Sequence, residues 1–364
     1  MLALSIGLAL ILSYAVFVIY AERKVSAFVQ DRLGPMETGP YGLLQTVADL
    51  IKLLQKEDIV PYGAHLWLFK AAPIIIFTAV FTGFACMPLA PELIGAPINV
   101  GVFFLLSIVS IDVLGVFIAG WSSNNKFSIL GALRGIAQIV SYELPLTLAV
   151  LSVVLLSGTL NLEYINFQQH AHVTLLSDTT YFPWGDWTMK DAKAIGGIFT
   201  WNIIRYPFLI VSMCIFFIAS LAECNRAPFD IPEGESELVS GFHTEYSGFR
   251  FAILFLAEYA MMLLVSLLLV VLFLGGTNTP FPNIGAVALC DWTSGTLGHW
   301  SSNAWGFFWL VSKAFGIVFL QMMMRWTYPR LRVDQLMLLC WKVLLPISLV
   351  MVLCSAYWVY WLKQ

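Results

Sequence analysis

The residues best suited to chemistry in this chain are carboxylates in places where carboxylates are costly. Six acids (Glu223, Asp230, Glu233, Glu235, Glu237, Glu245) and two arginines (Arg226, Arg250) fall within 28 residues, wedged between two long apolar runs. Three more acids, Asp112, Glu143 and Glu258, lie inside apolar runs. An ionised acid at the centre of a bilayer helix costs roughly 2.5–3.5 kcal/mol on insertion scales, so such residues usually face a bundle interior or water and often mark ion or proton paths. Crowded carboxylates cannot all ionise at small cost, and protons shared among them are protons that can be moved. Ordinary readings stand beside this one. Pro232 followed by Glu233, Glu235 and Glu237 fits a helix N-terminus, with Glu233 and Glu237 on one face. Arg226 and Asp230, spaced around two prolines, fit a loop-tethering pair. An intramembrane glutamate also fits a neutral acid hydrogen-bonded between helices.

The elements that position these groups follow from composition. Of 364 residues, 59% are hydrophobic and only 11% charged, too apolar for a water-covered surface. Several runs approach or exceed the ~20 apolar residues of a spanning helix. The expected fold is an all-α polytopic membrane protein of one domain, with about eight spanning helices. They cover 1–21, 71–90, 98–120, 137–158, 199–222, 251–274, 304–324 and 338–361. The first run lacks a basic n-region and a cleavage site and is followed at once by Glu22-Arg23-Lys24, so it reads as a retained helix. Within 22–70, Leu43, Leu44, Val47, Leu50, Ile51 and Leu54 recur at helical spacing, which predicts an amphipathic helix along the membrane. The segment 159–198 reads as an irregular cap with interfacial Trp184, Trp187 and Trp201.

Lysine and arginine set the orientation. Loops 22–70, 121–136, 223–250 and 325–337 with their flanks carry Arg23, Lys24, Arg32, Lys52, Lys56, Lys70, Lys126, Arg134, Arg226, Arg250, Arg325, Arg330, Arg332 and Lys342. The opposite side carries Lys190, Lys193, Arg205 and Lys363. Basic loops stay in the cytoplasm, which puts the acidic loop inside and both termini outside. The six cysteines show no C-x-x-C spacing, so neither an iron–sulfur nor a zinc site is supported, and no metal site is expected. No G-x-G-x-x-G after a strand, no P-loop and no nucleophile–base pair stands out, and no nucleic-acid partner is expected. Any redox step must use an electron carrier on another chain. Lys313 is a candidate partner for Asp112, or else snorkels.

Four blocks then resemble the subunit 1 family of respiratory complex I, the proton-pumping NADH:quinone oxidoreductase; in bacteria the corresponding chain is the H-subunit. The first block runs from Glu22-Arg23-Lys24 through Gln30-Asp-Arg32-Leu-Gly34-Pro35 and Gly42-Leu-Leu-Gln45 to Ala48-Asp49-Leu-Ile-Lys52 and Lys56-Glu57. The second is Gly120-Trp121-Ser-Ser-Asn124-Asn125-Lys126 with Gly131-Ala-Leu-Arg134 and Ser141-Tyr142-Glu143. The third is Glu223 to Gly248 with Glu258-Tyr259, and the fourth Tyr328-Pro-Arg330-Leu-Arg332-Val-Asp334-Gln335 with Trp341-Lys342 and Pro346. The resemblance implies the membrane-side part of a quinone tunnel. Glu22, Arg23, Arg32, Asp49, Lys52, Arg226, Asp230, Glu233, Glu235 and Glu237 would line or shape it, and Glu143, Glu223 and Glu258 would begin a buried acid path. No residue here would be redox-active itself. The substrate would be a quinone (ubiquinone or menaquinone), with no covalently bound cofactor. FMN and iron–sulfur clusters would belong to partner subunits. Partners would be the peripheral-arm iron–sulfur and quinone-site subunits, small membrane subunits and antiporter-like pump subunits, within a lipid bilayer.

Asp112 departs from the family pattern and takes no role from it, and segment 159–198 is longer than the pattern. The length and that segment favour a bacterial inner membrane over a mitochondrial one. Three rivals stay open: the homologous subunit of an energy-converting hydrogenase or formate complex, a proton-coupled secondary transporter, and a passive anchor. Paired broken helices would mark the transporter, and none is evident.

Overall fold

A computed structural model describes residues 2–170, 195–232, 234–283, 288–295 and 298–362. Most of the expected aromatic cap, with Trp184 and Trp187, lies outside the described residues, as does Glu233; of the Glu235 side chain nothing is described either. The helices are α1 (Leu2–Val29), α2 (Gln45–Gln55), α3 (Leu66–Ala85), α4 (Gly101–Ser122), α5 (Lys126–Ser157), α6 (Leu162–Gln168), α7 (Asn202–Arg205), α8 (Leu209–Glu223), α9 (Glu235–Leu238), α10 (Gly248–Phe273), α11 (Leu289–Ser294), α12 (Trp300–Thr327), α13 (Val333–Leu338) and α14 (Leu345–Leu362). A π-helical turn, Leu339–Leu344, joins the last two into one rod. Among the described residues the only strands are a short antiparallel pair, Pro88–Ala90 with Leu93–Ile94. The chain is an all-α polytopic membrane protein.

Apolar runs become helices because a bilayer offers no partner for an unpaired backbone N–H or C=O. Seven of these helices are long and apolar enough to cross a membrane. The eighth apolar helix, α8, has only 15 residues where 199–222 was expected. It rises about 22 Å, short of the roughly 30 Å hydrocarbon layer. Pro207 cannot continue a helix from the preceding residues, so α7 ends at Arg205, and the extended Trp201 separates α7 from the single turn Gly197–Thr200. Conversely α5 is 32 residues long, starting eleven residues before the expected 137. Asn125 caps it by accepting from the Phe127 N–H at 2.9 Å, and Gly158 ends it in the left-handed region at φ 68°. The extra length at its start carries Arg134 to the acidic loop, Gln138 just beyond it donates to the Phe229 carbonyl at 2.7 Å, and Glu143 falls near mid-helix.

The bundle is centred on α10. Of its apolar stretch 78% is buried inside the protein, against 22–50% for the other six long helices, and it packs on α1, α3, α8 and α12. Small residues let neighbouring backbones close up. A Cβ at Gly120 of α4 would collide with Ala132 of α5, and one at Gly131 would lie 2.8 Å from the Gly241 Cα and 3.0 Å from the Pro232 carbonyl oxygen. Gly131 thus presses the start of α5 directly onto the acidic loop.

Polar side chains hold the C-terminal end of α10. Gln169 donates to the Val271 carbonyl at 2.8 Å and Asn202 to that of Leu272 at 2.8 Å. Lys313 of α12 donates to the carbonyls of Leu274, Gly276 and Asn278 at 2.8, 3.0 and 2.6 Å, its ammonium 4.5 Å from the centre of the Trp201 ring. Lys313 is therefore neither the partner of Asp112 nor a snorkelling side chain. It satisfies the orphan carbonyls at a helix C-terminus, where a cation is favoured.

At the other end, the four loops grouped by their basic residues meet one another. Arg250 pairs with Asp58 at 2.7 Å, Asn125 donates to Glu245 at 2.6 Å, Arg330 pairs with Asp230 at 2.8 Å, and the Leu331 N–H donates to the Pro228 carbonyl at 3.1 Å.

Candidate functional site

A buried charge nest forms where α1 meets the acidic loop. Glu22 accepts from Arg226 Nη1 at 3.1 and 3.3 Å, from the Tyr259 hydroxyl at 2.6 Å, and from Arg325 of α12. The Arg226 guanidinium also stacks 4.3 Å from the centre of the Tyr259 ring. With two cations and a phenol on it, Glu22 can remain an anion in a buried place. This explains why α1 runs on through Glu22-Arg23-Lys24 to Val29 rather than ending near 21. Arg226 Nε and Nη2 are buried without hydrogen-bond partners. The nest opens on a cavity of ≈ 30 Å³ lined by Asn225, Arg226, Ala227, Asp230, Phe255, Glu258 and Arg325. Asp230 is buried too, and burial raises its carboxyl above the ordinary range although Arg330 and Arg325 pull the other way.

The other loop residues occupy a rim. Arg23 pairs with Asp49 at 2.6 Å, and Lys52, one turn along α2, reaches the same carboxylate at 3.6 Å. The α2 residues Val47, Leu50, Ile51 and Leu54 keep an exposed apolar face, which suits a membrane surface or a partner. Arg32 is exposed in the turn after α1. Glu237 pairs with Arg134 at 2.6 Å in an exposed position. The expected helix starting at Pro232 is replaced by the single turn α9, preceded by Gly234 without a side-chain cap, so Pro232 does not initiate it.

The membrane acids converge. Glu258 bonds His243 at 3.0 Å. Glu223, at the end of α8, is buried, and its Oε2 has no hydrogen-bond partner. Asp112, Glu223, His243 and Glu258 line one cavity of ≈ 20 Å³ together with Cys224, Asn225 and apolar residues; that is room for about one water. Glu258 and Asn225 line this cavity and the one below the charge nest alike. Glu143 accepts a short hydrogen bond from Ser110 of α4 and lies within electrostatic range of Glu223. Ionisable side chains thus run from Asp230 and Arg226 through Glu258 and His243 to Glu223, and on to Glu143.

Sequence reasoning missed four members. Arg330 and Tyr259 belong to quoted motifs and Arg325 to a basic loop, but the arginines served only the orientation argument and Tyr259 was given no role. His243 counted only as one of five scattered histidines. Its usable signal is its place inside the acid-rich loop.

Fold and site together define a polytopic α-helical membrane protein with a buried, branching network of ionisable groups entering from one face. The chain belongs to the NADH dehydrogenase family, whose model matches residues 2–356. It is 64% identical over 357 residues to the NADH-quinone oxidoreductase H-subunit 2 of Cytophaga hutchinsonii, covering 98% of each chain. It is 50% identical over 355 residues to the NADH-quinone oxidoreductase H-subunit of Chlorobium luteolum, covering 97% of this chain and 87% of that one. To the H-subunit of Chlorobaculum parvum it is 49% identical over 356 residues, covering 98% and 91%.

Proposed function

We propose that this chain is the membrane subunit of an NADH:quinone oxidoreductase that forms the membrane side of a quinone tunnel and couples quinone reduction to proton translocation. The relatives' names support the complex, and the run of ionisable groups from the Glu22 nest to Glu223, with Glu143 in electrostatic range beyond it, carries the coupling. Overall, NADH + H⁺ + quinone gives NAD⁺ + quinol. The electrons arrive through FMN and iron–sulfur clusters on partner subunits, and the quinone takes up two electrons and two protons. The role of this chain is protonic and electrostatic. Arg226, Asp230, Arg325 and Arg330, with the rim of Arg23, Arg32, Asp49, Lys52 and Glu237, shape a polar approach for the head group, and Glu233 and Glu235 belong to the same loop. A new charge state at the head group perturbs Asp230 and the nest first, because Asp230 and Arg226 stand on the loop that the head group would approach. Glu258 faces both cavities and relays that change to Glu223 and Glu143. The complex resides in a bacterial inner membrane with both termini of this chain outside, beside small membrane subunits and antiporter-like pumps.

The test is Glu258→Gln and Glu143→Gln in the assembled complex, read as NADH–quinone turnover and protons translocated per quinone reduced. Each is expected to lower the proton ratio, with NADH oxidation by ferricyanide intact. Unchanged pumping in both removes the relay.

A further inference from the structure

Asp112 has no hydrogen-bond partner for its buried Oδ1, and neither has Glu223 for its Oε2. Both carboxyls line the same ≈ 20 Å³ cavity, and the His243–Glu258 pair lines it as well. Asp112 and Val116, four residues apart, put one face of α4 on the cavity. Ser110 leaves α4 in another direction and bonds Glu143. Helix α4 therefore supplies polar groups both to the cavity and to the next acid. The cations of the nest, Arg226 and Arg325, are not among the residues around this cavity. Carboxyls gathered here without a lining arginine or lysine share protons rather than all ionising.

We infer that Asp112 is a proton-exchanging station of this chain, lining together with Glu223 and Glu258 a cavity that takes one water. The inference rests on the proton-coupling reading above and adds a residue to it. The cavity water would bridge the Asp112 and Glu223 oxygens to Glu258, so a proton leaving Glu258 has two acceptors. Asp112 would hold it within range of Glu223, from which Glu143 is the next acid.

The experiment uses Asp112→Asn and Asp112→Glu in the whole complex, in sealed vesicles, with Glu258→Gln in parallel. Protons translocated per NADH oxidised and the redox-induced infrared band of protonated carboxyls are both read. Asp112→Asn is expected to lower the proton ratio at least twofold and to lose part of that band. Asp112→Glu should restore both, with ferricyanide reduction constant throughout. A wild-type ratio and band in Asp112→Asn overturn the inference. If Glu258→Gln also pumps normally, the failure belongs to the coupling reading; if Glu258→Gln is impaired and Asp112→Asn is not, it belongs to Asp112 alone. Should Asp112→Asn fail to assemble, Asp112→Ser decides: assembly with normal pumping overturns the station, and rescue by Glu alone supports it.

Discussion

Replacing Glu22 by Gln keeps the shape of the charge nest and removes the anion at its centre. Two guanidiniums then face each other without that counter-charge. Breaking a buried pair by deleting one partner costs about 3–5 kcal/mol, most of it the stranded charge. The two arginines differ in how much of that they bear. The Arg325 side chain is 32% exposed and can turn toward water, so its share is small. The Arg226 side chain is 9% exposed and already carries two unpartnered nitrogens, so it cannot. The Tyr259 hydroxyl at 2.6 Å also loses a charged acceptor for a neutral one. A net loss of about 2–4 kcal/mol follows, or up to roughly 30- to 900-fold in the rate of thermal inactivation if the nest is intact in the native state alone. The assay is the inactivation half-life of quinone reductase activity in the detergent-solubilised complex. Removing the stranded cation as well, in Glu22→Gln/Arg226→Met, should recover much of the half-life, because a buried charge without a partner is worse than none. A Glu22→Gln complex as long-lived as wild type refutes the argument. So would a double variant that decays faster than the single one.

Two further outcomes concern Asp230 in the acidic loop and Lys313 at the far end of α10. Burial raises the Asp230 carboxyl above its ordinary range, so its protonated form is favoured in the folded state; stability contributed by that proton is present at low pH and lost as pH rises through the raised value. Asp230→Asn should therefore gain in half-life relative to wild type as pH rises from the ordinary carboxylate range upward, and parallel pH profiles of the two would contradict this. Lys313→Met should remove three hydrogen bonds to the end of α10, strand buried carbonyls and destabilise the chain by at least about 1–3 kcal/mol; a half-life equal to wild type at every temperature tested would show that the carbonyls find other partners.

The apolar runs were legible because hydropathy is a local property and the bilayer enforces helices on it. The grouping of loops was legible because lysine and arginine mark one face, and the structure ties those loops together. What stayed hidden depends on residues far apart in the chain. Glu22 looks like the end of a spanning helix until it is seen that its partners stand 204 and 303 residues away. Lys313 and Asp112 are both lone charges in apolar helices, and nothing in the sequence says which groups each one meets. Glu258 and Tyr259 are neighbours in sequence, yet they serve different centres because successive helical residues point about 100° apart. The shortness of α8 has a local signal in Pro207, masked by the continuous apolar run around it.

The five polar clasps on the final turns and exit of α10 give the molecule a mechanical asymmetry. Gln169, Asn202 and Lys313 fasten one extremity of the helix, while Glu258 and Tyr259 meet their partners near its middle. About 21 Å of buried helix separates the two sets of polar contacts. The clasps therefore fix the depth of α10 in the bundle without sharing a partner with the acids.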